Sequence, residues 1–203
     1  MRIYFVGAHS TGKTTLARWT ARAFQLPLVT EAVRPVLACR EVPLPVIRAS
    51  VSEAEAFQRE LIHKQTKAEG NAGNTFVSDR CVLDYLAYTA EHTMILHQFT
   101  ATLQMQAARL REPDVVVFFL RPQRDLLAED GARETPVWDA VIRIDAMLKC
   151  LFVLHGVDYI SIDTPNMAER VRVVRHVIRG LGETVGGPDG GCPSVSGTTL
   201  PTL

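Results

Sequence analysis

Residues 5–19, FVGAHSTGKTTLARW, run from an apolar strand into a glycine, four intervening residues, Gly-Lys-Thr and a helical pattern. The spacing G-x-x-x-x-G-K-[ST] between a strand and a helix constrains the backbone to one task. Successive N–H groups turn inward on an anion, and the following helix adds the positive end of its dipole. Gly7 and Gly12 permit the tight turn, and Ala8, His9, Ser10, Thr11 and Thr15 complete the candidate nucleotide-binding loop. Lys13 is expected to reach the β- and γ-phosphates of ATP, and the Thr14 hydroxyl to complete the shell of a Mg²⁺ ion. His9 reads as a loop filler rather than an acid.

The rest of the chain supplies the strands and helices that such a loop needs. Five short apolar stretches, residues 2–7, 26–31, 74–80, 114–120 and 157–163, alternate with helical patterns. DVVVFFL at 114–120 has no polar alternation, the mark of a central parallel strand buried on both faces. Helical spacing recurs in Leu96, Phe99, Leu103, Ala107 and Leu110, in Val141, Ile144, Leu148 and Leu151, and in Val171, Val174, Ile178 and Leu181. Strands alternating with helices predict right-handed β-α-β units. The expected fold is α/β, a three-layer sandwich with a five-stranded parallel sheet in the order 2-3-1-4-5 and helices on both faces. One domain spans 1–181, with a lid at about 121–136. Residues 40–51 hold two prolines and read as a loop entering a long helix at 52–69. Residues 182–203, rich in Gly, Pro, Ser and Thr without periodicity, read as a flexible tail.

Charge and cysteine usage narrow the setting. Twenty-two basic residues balance twenty-two acidic ones, whereas proteins that live on DNA or anionic membranes usually carry a basic excess. No apolar run has the length of a membrane span, and IYFV is too short for a signal peptide. Cys39, Cys81, Cys150 and Cys192 lack metal or redox spacing, and three of them fall in helical stretches as small buried apolar side chains. A reducing cytoplasm fits, with the chain a monomer or a homodimer.

A phosphate-binding loop serves GTPases, motors and kinases alike. The N-K-x-D element that reads guanine is missing, and no strand ends in the paired acids of a motor. Ligands of parallel sheets bind at the carboxyl ends of strands, and here those ends are polar. The second strand ends in Thr30-Glu31, with Arg34 one helical turn on; the third ends in Ser78-Asp79-Arg80. The fourth is followed by Arg121, Arg124 and the run AEDGARE, which holds Arg133 and Glu134. This pattern points to phosphoryl transfer onto a small acceptor, where catalysis is mostly positioning and cationic stabilisation.

GAHSTGKTTLA, VTEAVR, SDRCVLDYLAY and EDGARE together resemble the P-loop nucleoside and nucleotide kinases, and within them the branch that includes the ribosylnicotinamide kinase domain. The resemblance covers roughly residues 1–181. It implies that Glu31 accepts a proton from the acceptor hydroxyl. It implies that Asp79 supports Mg²⁺ while Arg80 contacts phosphate, and that Arg121, Arg124 and Arg133 belong to a closing lid. Phe57-Gln58 is similar to a helix that offers a glutamine to a substrate base. Arg34, Gln58 and Asp84 form the expected acceptor-binding set. The pair is Asp-Arg where deoxynucleoside kinases have Glu-Arg, Glu31 lacks the following proline, and the lid lacks a dense arginine repeat.

Each residue also has a plainer reading. Glu31 could cap the next helix, Asp79 and Arg80 could form a structural ion pair, and the Asp-Gly-Ala-Arg loop could be a solvated turn. Gln58 could lie on the surface, and Asp84 could compensate a helix N-terminus. Arg172, Arg175 and Arg179 read as a solvated stripe opposite Val171, Val174 and Ile178. Three functions stay open: a kinase of a nucleoside or nucleotide, the same chemistry on a hydroxymethylated pyrimidine within DNA, and a regulatory module that hydrolyses ATP slowly. Zero net charge disfavours the DNA acceptor.

Overall fold

The computed structural model describes residues 1–40, 44–93, 96–127 and 137–185. Five strands, β1 (Arg2–Val6), β2 (Leu28–Val29), β3 (Phe76–Asp79), β4 (Val115–Leu120) and β5 (Ile160–Ile162), form one sheet in the order β2-β3-β1-β4-β5. Every pairing is parallel. The sandwich and strand order expected from the sequence are those observed.

Alternation along β1 divides the core between two helical layers. Tyr4 and Val6 enter one cluster with Phe76, Val117 and Phe119; Ile3 and Phe5 enter the other with Val77, Val116 and Phe118. Helices α1 (Lys13–Phe24) and α8 (Met167–Val185) cover the second face through Leu16, Ala17, Val174 and Ile178. The opposite face is covered by α5 (Val82–Thr93), α6 (Thr100–Leu110) and α7 (Trp138–Leu154), through Leu83, Leu86, Leu103, Ile144 and Leu148. A third cluster joins α2 (Val33–Arg40), α3 (Leu44–Arg48) and α4 (Val51–Ala72) through Val36, Ile47, Phe57 and Leu61, with Tyr85 of α5.

Several boundaries differ from the sequence reading. Strands 2 and 5 pair over only two and three residues, so Thr30 and Glu31 lie beyond the sheet edge. The expected loop at 40–51 contains α3, because Pro45 occupies its first turn, where a missing N–H costs no helical bond. Helix α4 is longer than expected: the Ser50 side chain accepts from Glu53 N at its start, and Gly73 closes its end with φ 79°. Helix α8 runs on to Val185, past the expected domain end at 181; residues 186–203 lie outside the described residues. Of the cysteines, Cys81 is buried but Cys39 and Cys150 are exposed, which corrects the reading of all three as core; Cys192 lies outside the described residues. Arg172, Arg175 and Arg179 are exposed and Val174 and Ile178 buried, the amphipathic α8 that was expected. No helix among the described residues is long and apolar enough to cross a membrane.

Candidate active site

The carboxyl ends of β1, β2 and β3 converge on two cavities that share a wall. The loop after β1 is set by two backbone requirements. Gly7 has φ 150°, and a Cβ there would sit 2.4 Å from the Leu120 carbonyl oxygen at the end of β4. Gly12 has φ 85°, in the left-handed region, and caps α1. Lys13 follows at the first helical position, buried, its Nζ donating to the Ala8 carbonyl and, at 3.3 Å, to Thr11 Oγ1. Burial, and then the charge of Arg80, lower its pKa from 10.5 to about 7. The loop thus holds its lysine against its own oxygens, in a buried setting that disfavours the charged form.

Thr14 Oγ1 donates to Asp79 Oδ2 at 2.6 Å, and Asp79 Oδ1 is buried with no partner. A hydroxyl beside an orphaned carboxylate oxygen is a hard oxygen donor pair, which fits Mg²⁺. Among the described residues no three His, Cys, Asp or Glu side chains gather around a metal position. A cation here would take its remaining ligands from phosphate and water, as Mg²⁺ commonly does.

Arg80 follows Asp79 with φ 90°, a strained conformation for a side-chain-bearing residue. Its N–H donates to the Phe5 carbonyl at 3.0 Å, and its own carbonyl accepts from Ser78 Oγ at 2.7 Å and Gln65 Nε2 at 3.4 Å. This backbone grip aims the buried guanidinium at Glu31, where Nε donates to Oε1 at 2.9 Å, and over the Tyr88 ring at 5.2 Å. The neighbouring Ala32 N–H donates to Tyr85 Oη at 3.3 Å, which ties the chain after β2 to α5.

The first cavity is a groove of about 340 Å³ lined by Ser10 to Thr15, Glu31, Arg34, Arg80, Leu126, Pro165, Met167 and Arg170. Its volume falls at the low end of the small-molecule range. The second is lined by apolar Val33, Leu44, Ile47, Ala54, Phe57 and Leu61 and by polar His9, Glu31, Arg48, Gln58, Arg80 and His92, with Tyr85 and Tyr88. Glu31 and Arg80 line both.

The expected site residues therefore separate. Ser10, Thr11, Gly12, Lys13, Thr14 and Thr15 line the groove, while Ala8 lies buried beneath it. His9 instead faces the second cavity, its ring 4.7 Å from that of Tyr88. Gln58 is buried in the second cavity with Oε1 unpartnered, so the surface reading fails. Arg34 is exposed on the groove side and does not line the second cavity. Asp84, expected at the acceptor, lines neither: its oxygens accept from Gly7 N at 3.1 Å and Cys81 N at 2.9 Å, and it is fully buried. It fastens the phosphate loop to the start of α5, nearer its plainer reading. Arg121 is held by Asp145 at 2.7 and 3.0 Å, and Arg124 lies over Trp138 at 5.0 Å; neither lines either of these two cavities. Arg133, Glu134 and most of the expected lid lie outside the described residues.

Sequence reasoning missed His92 and Arg170. His92 Nε2 is buried without a partner in the second cavity. Its i, i+4 spacing from Tyr88, itself i, i+4 from Asp84, was the available signal. Arg170 lies 159 positions from the loop residue it contacts, with no local pattern to reveal it.

The parallel sheet in the order β2-β3-β1-β4-β5 and the phosphate-binding loop between β1 and α1 together define a P-loop α/β fold. The model of the AAA_28 family, an AAA domain, matches residues 2–170, and the chain belongs to that family. Solved structures share the fold at low sequence identity. Deoxyadenosine kinase from M. mycoides with bound dATP superposes with a TM-score of 0.65 at 12% identity, over 88% of this chain and 100% of that one. NadR protein in complex with NR gives 0.65 at 16%, over 95% of this chain and 54% of that one. Shikimate kinase from Aquifex aeolicus gives 0.50 at 16%, over 92% and 100%. No curated protein sequence matches significantly.

Proposed function

We propose that this protein is a kinase that transfers the γ-phosphoryl group of ATP to a hydroxyl, or a phosphate, of a nucleoside- or nucleotide-type acceptor. The observation that carries the proposal is the shared wall: Glu31 and Arg80 border both the phosphate-loop groove and the apolar cavity. A donor in one cavity and an acceptor in the other would meet at a carboxylate and a guanidinium. The similarity to the folds of deoxyadenosine kinase and NadR protein supports a phosphotransferase, and these proteins suggest acceptor classes to test.

The roles follow from charge. In transfer, a bond forms between the acceptor oxygen and the γ-phosphorus, the bond to the bridging oxygen of ADP breaks, and the acceptor proton leaves to a base. Lys13 and Arg80 place positive charge where the equatorial oxygens gain negative charge. Glu31 orients the acceptor hydroxyl and takes its proton. Phe57 and Leu61 offer apolar walls to a flat ring and the Gln58 carboxamide offers its polar edge. Thr14 and Asp79 would hold Mg²⁺, which when bound neutralises the polyphosphate. Asp84 and the Gln65–Ser78 pair keep the loop and Arg80 in place.

The test is incubation with radiolabelled ATP and Mg²⁺ against nucleosides, nucleoside monophosphates, ribosylnicotinamide, shikimate and hydroxymethyluracil-containing DNA. Label in a nucleoside or nucleotide supports the proposal. Label in DNA moves the acceptor into the polymer, and label in free phosphate alone leaves an ATP-hydrolysing module.

A further inference from the structure

Three arginines are buried among the described residues, Arg2, Arg80 and Arg170. Arg2 pairs with Glu112 and Asp114, and Arg80 with Glu31 and Asp84. Arg170 pairs with no described carboxylate. Its side chain, in the first turn of α8, is fully buried: Nε donates to the Thr164 carbonyl, Nη1 to the Thr11 carbonyl of the phosphate loop, and Nη2 has no partner. A buried guanidinium with two carbonyl contacts and an idle nitrogen is an expensive arrangement. Burial accordingly pulls its pKa down, with no anion to oppose it.

Its position bears on which anion the guanidinium would face. Arg170 lines the groove beside Ser10 to Thr15, and its Nη1 lies 2.8 Å from where a Cβ on Gly12 would stand. The loop glycine is therefore required partly by the guanidinium behind it. The same side chain bonds the loop before α8, next to Pro165, which with Leu126 and Met167 gives the groove its apolar end.

We propose that Arg170 is a nucleotide-positioning residue whose counter-charge is the polyphosphate of the nucleoside triphosphate, and whose two carbonyl bonds fix the spacing between the phosphate loop and the apolar end of the groove. The inference rests on the reading that the groove takes a nucleotide. It assigns to Arg170 a cost in the empty protein that is recovered on ligand binding. A purely structural arginine behaves in the opposite way, adding stability to the empty protein and leaving ligand affinity alone.

The experiment compares wild type with Arg170→Met and Arg170→Gln, measuring the melting temperature without ligand and the affinity for AMP-PNP with Mg²⁺ by calorimetry. Lys13→Ala is the control for binding through the phosphate loop. The expected result is an unliganded melting temperature at or above that of wild type, with AMP-PNP binding weakened at least tenfold in both variants. Wild-type AMP-PNP affinity in either folded variant overturns the inference. So does a loss of stability large enough that neither variant folds, because the arginine is then a structural bridge. Failure of wild type itself to bind AMP-PNP removes the nucleotide reading along with this one; failure in the variants' behaviour alone removes only this one.

Discussion

The Thr14 hydroxyl donates to Asp79 Oδ2 across 2.6 Å, joining the first turn of α1 to the end of β3, while Asp79 Oδ1 is buried without a partner. Asp79→Asn preserves an acceptor for Thr14 but removes the charge. The Mg²⁺ concentration for half-maximal activity should rise at least about tenfold and kcat fall on the order of a hundredfold. The melting temperature should hold or rise, since a buried carboxylate with one unpartnered oxygen is replaced by a neutral amide. Activity titrated against Mg²⁺, with a thermal melt, checks both.

Glu31→Gln separates a transferring enzyme from a capped helix. A carboxylate that takes the acceptor proton should, when neutralised, depress kcat by roughly a hundredfold to ten-thousandfold while ATP affinity stays near wild type. An unchanged kcat with a lowered melting temperature would assign Glu31 to its bond with Arg80 alone.

Gln58 carries a buried oxygen with no partner, a defect in the empty protein and a contact surface for a ligand. Gln58→Leu should leave stability equal or improved, raise the acceptor KM by about tenfold or more, and leave the KM for ATP unchanged. Paired KM measurements on the acceptor identified by the labelling assay decide it.

His92 gives the pH dependence. Burial, and then the charge of Arg48, lower its pKa from 6.5 to about 4, against the smaller opposing pull of Glu91. Between pH 6.5 and 4 the unfolded chain binds a proton here that the folded chain refuses. Unfolding therefore becomes easier as pH falls through that window. His92→Phe should flatten the decline in melting temperature over this range and change little above pH 7. Parallel slopes for the two proteins would show that His92 is not the group involved.

Legibility in the sequence followed locality. The phosphate loop could be read from residues 7–14 because its glycines answer backbone demands made within the loop and at the adjoining strand end. The sheet order followed from strand number and loop position. Gln58 belongs to a buried stripe: Ala54, Phe57, Gln58, Leu61, Gln65 and Glu69 share the buried face of α4 at helical spacing. Its polar members masked that face. The short pairing of β2 was hidden because an apolar run does not show where hydrogen bonding stops. Asp84 lies away from both cavities, held by Gly7 N, Cys81 N and the Arg80 guanidinium, and its two backbone partners leave no signature in the sequence. The Asp-Gly-Ala-Arg segment that carries Arg133 lies outside the described residues, and its role is a matter for mutagenesis.

The common wall formed by Glu31 and Arg80 has a kinetic consequence. Two substrates that face one another across a single ion pair must be present together, so initial-rate plots should intersect rather than run parallel. The affinity of each substrate should then depend on the other, because each changes the partner available to Arg80. It also sets the shape of a selective inhibitor: an adenosine and an acceptor analogue joined through a phosphate chain would occupy both cavities at once. Such a molecule would owe its advantage over either half to the tether.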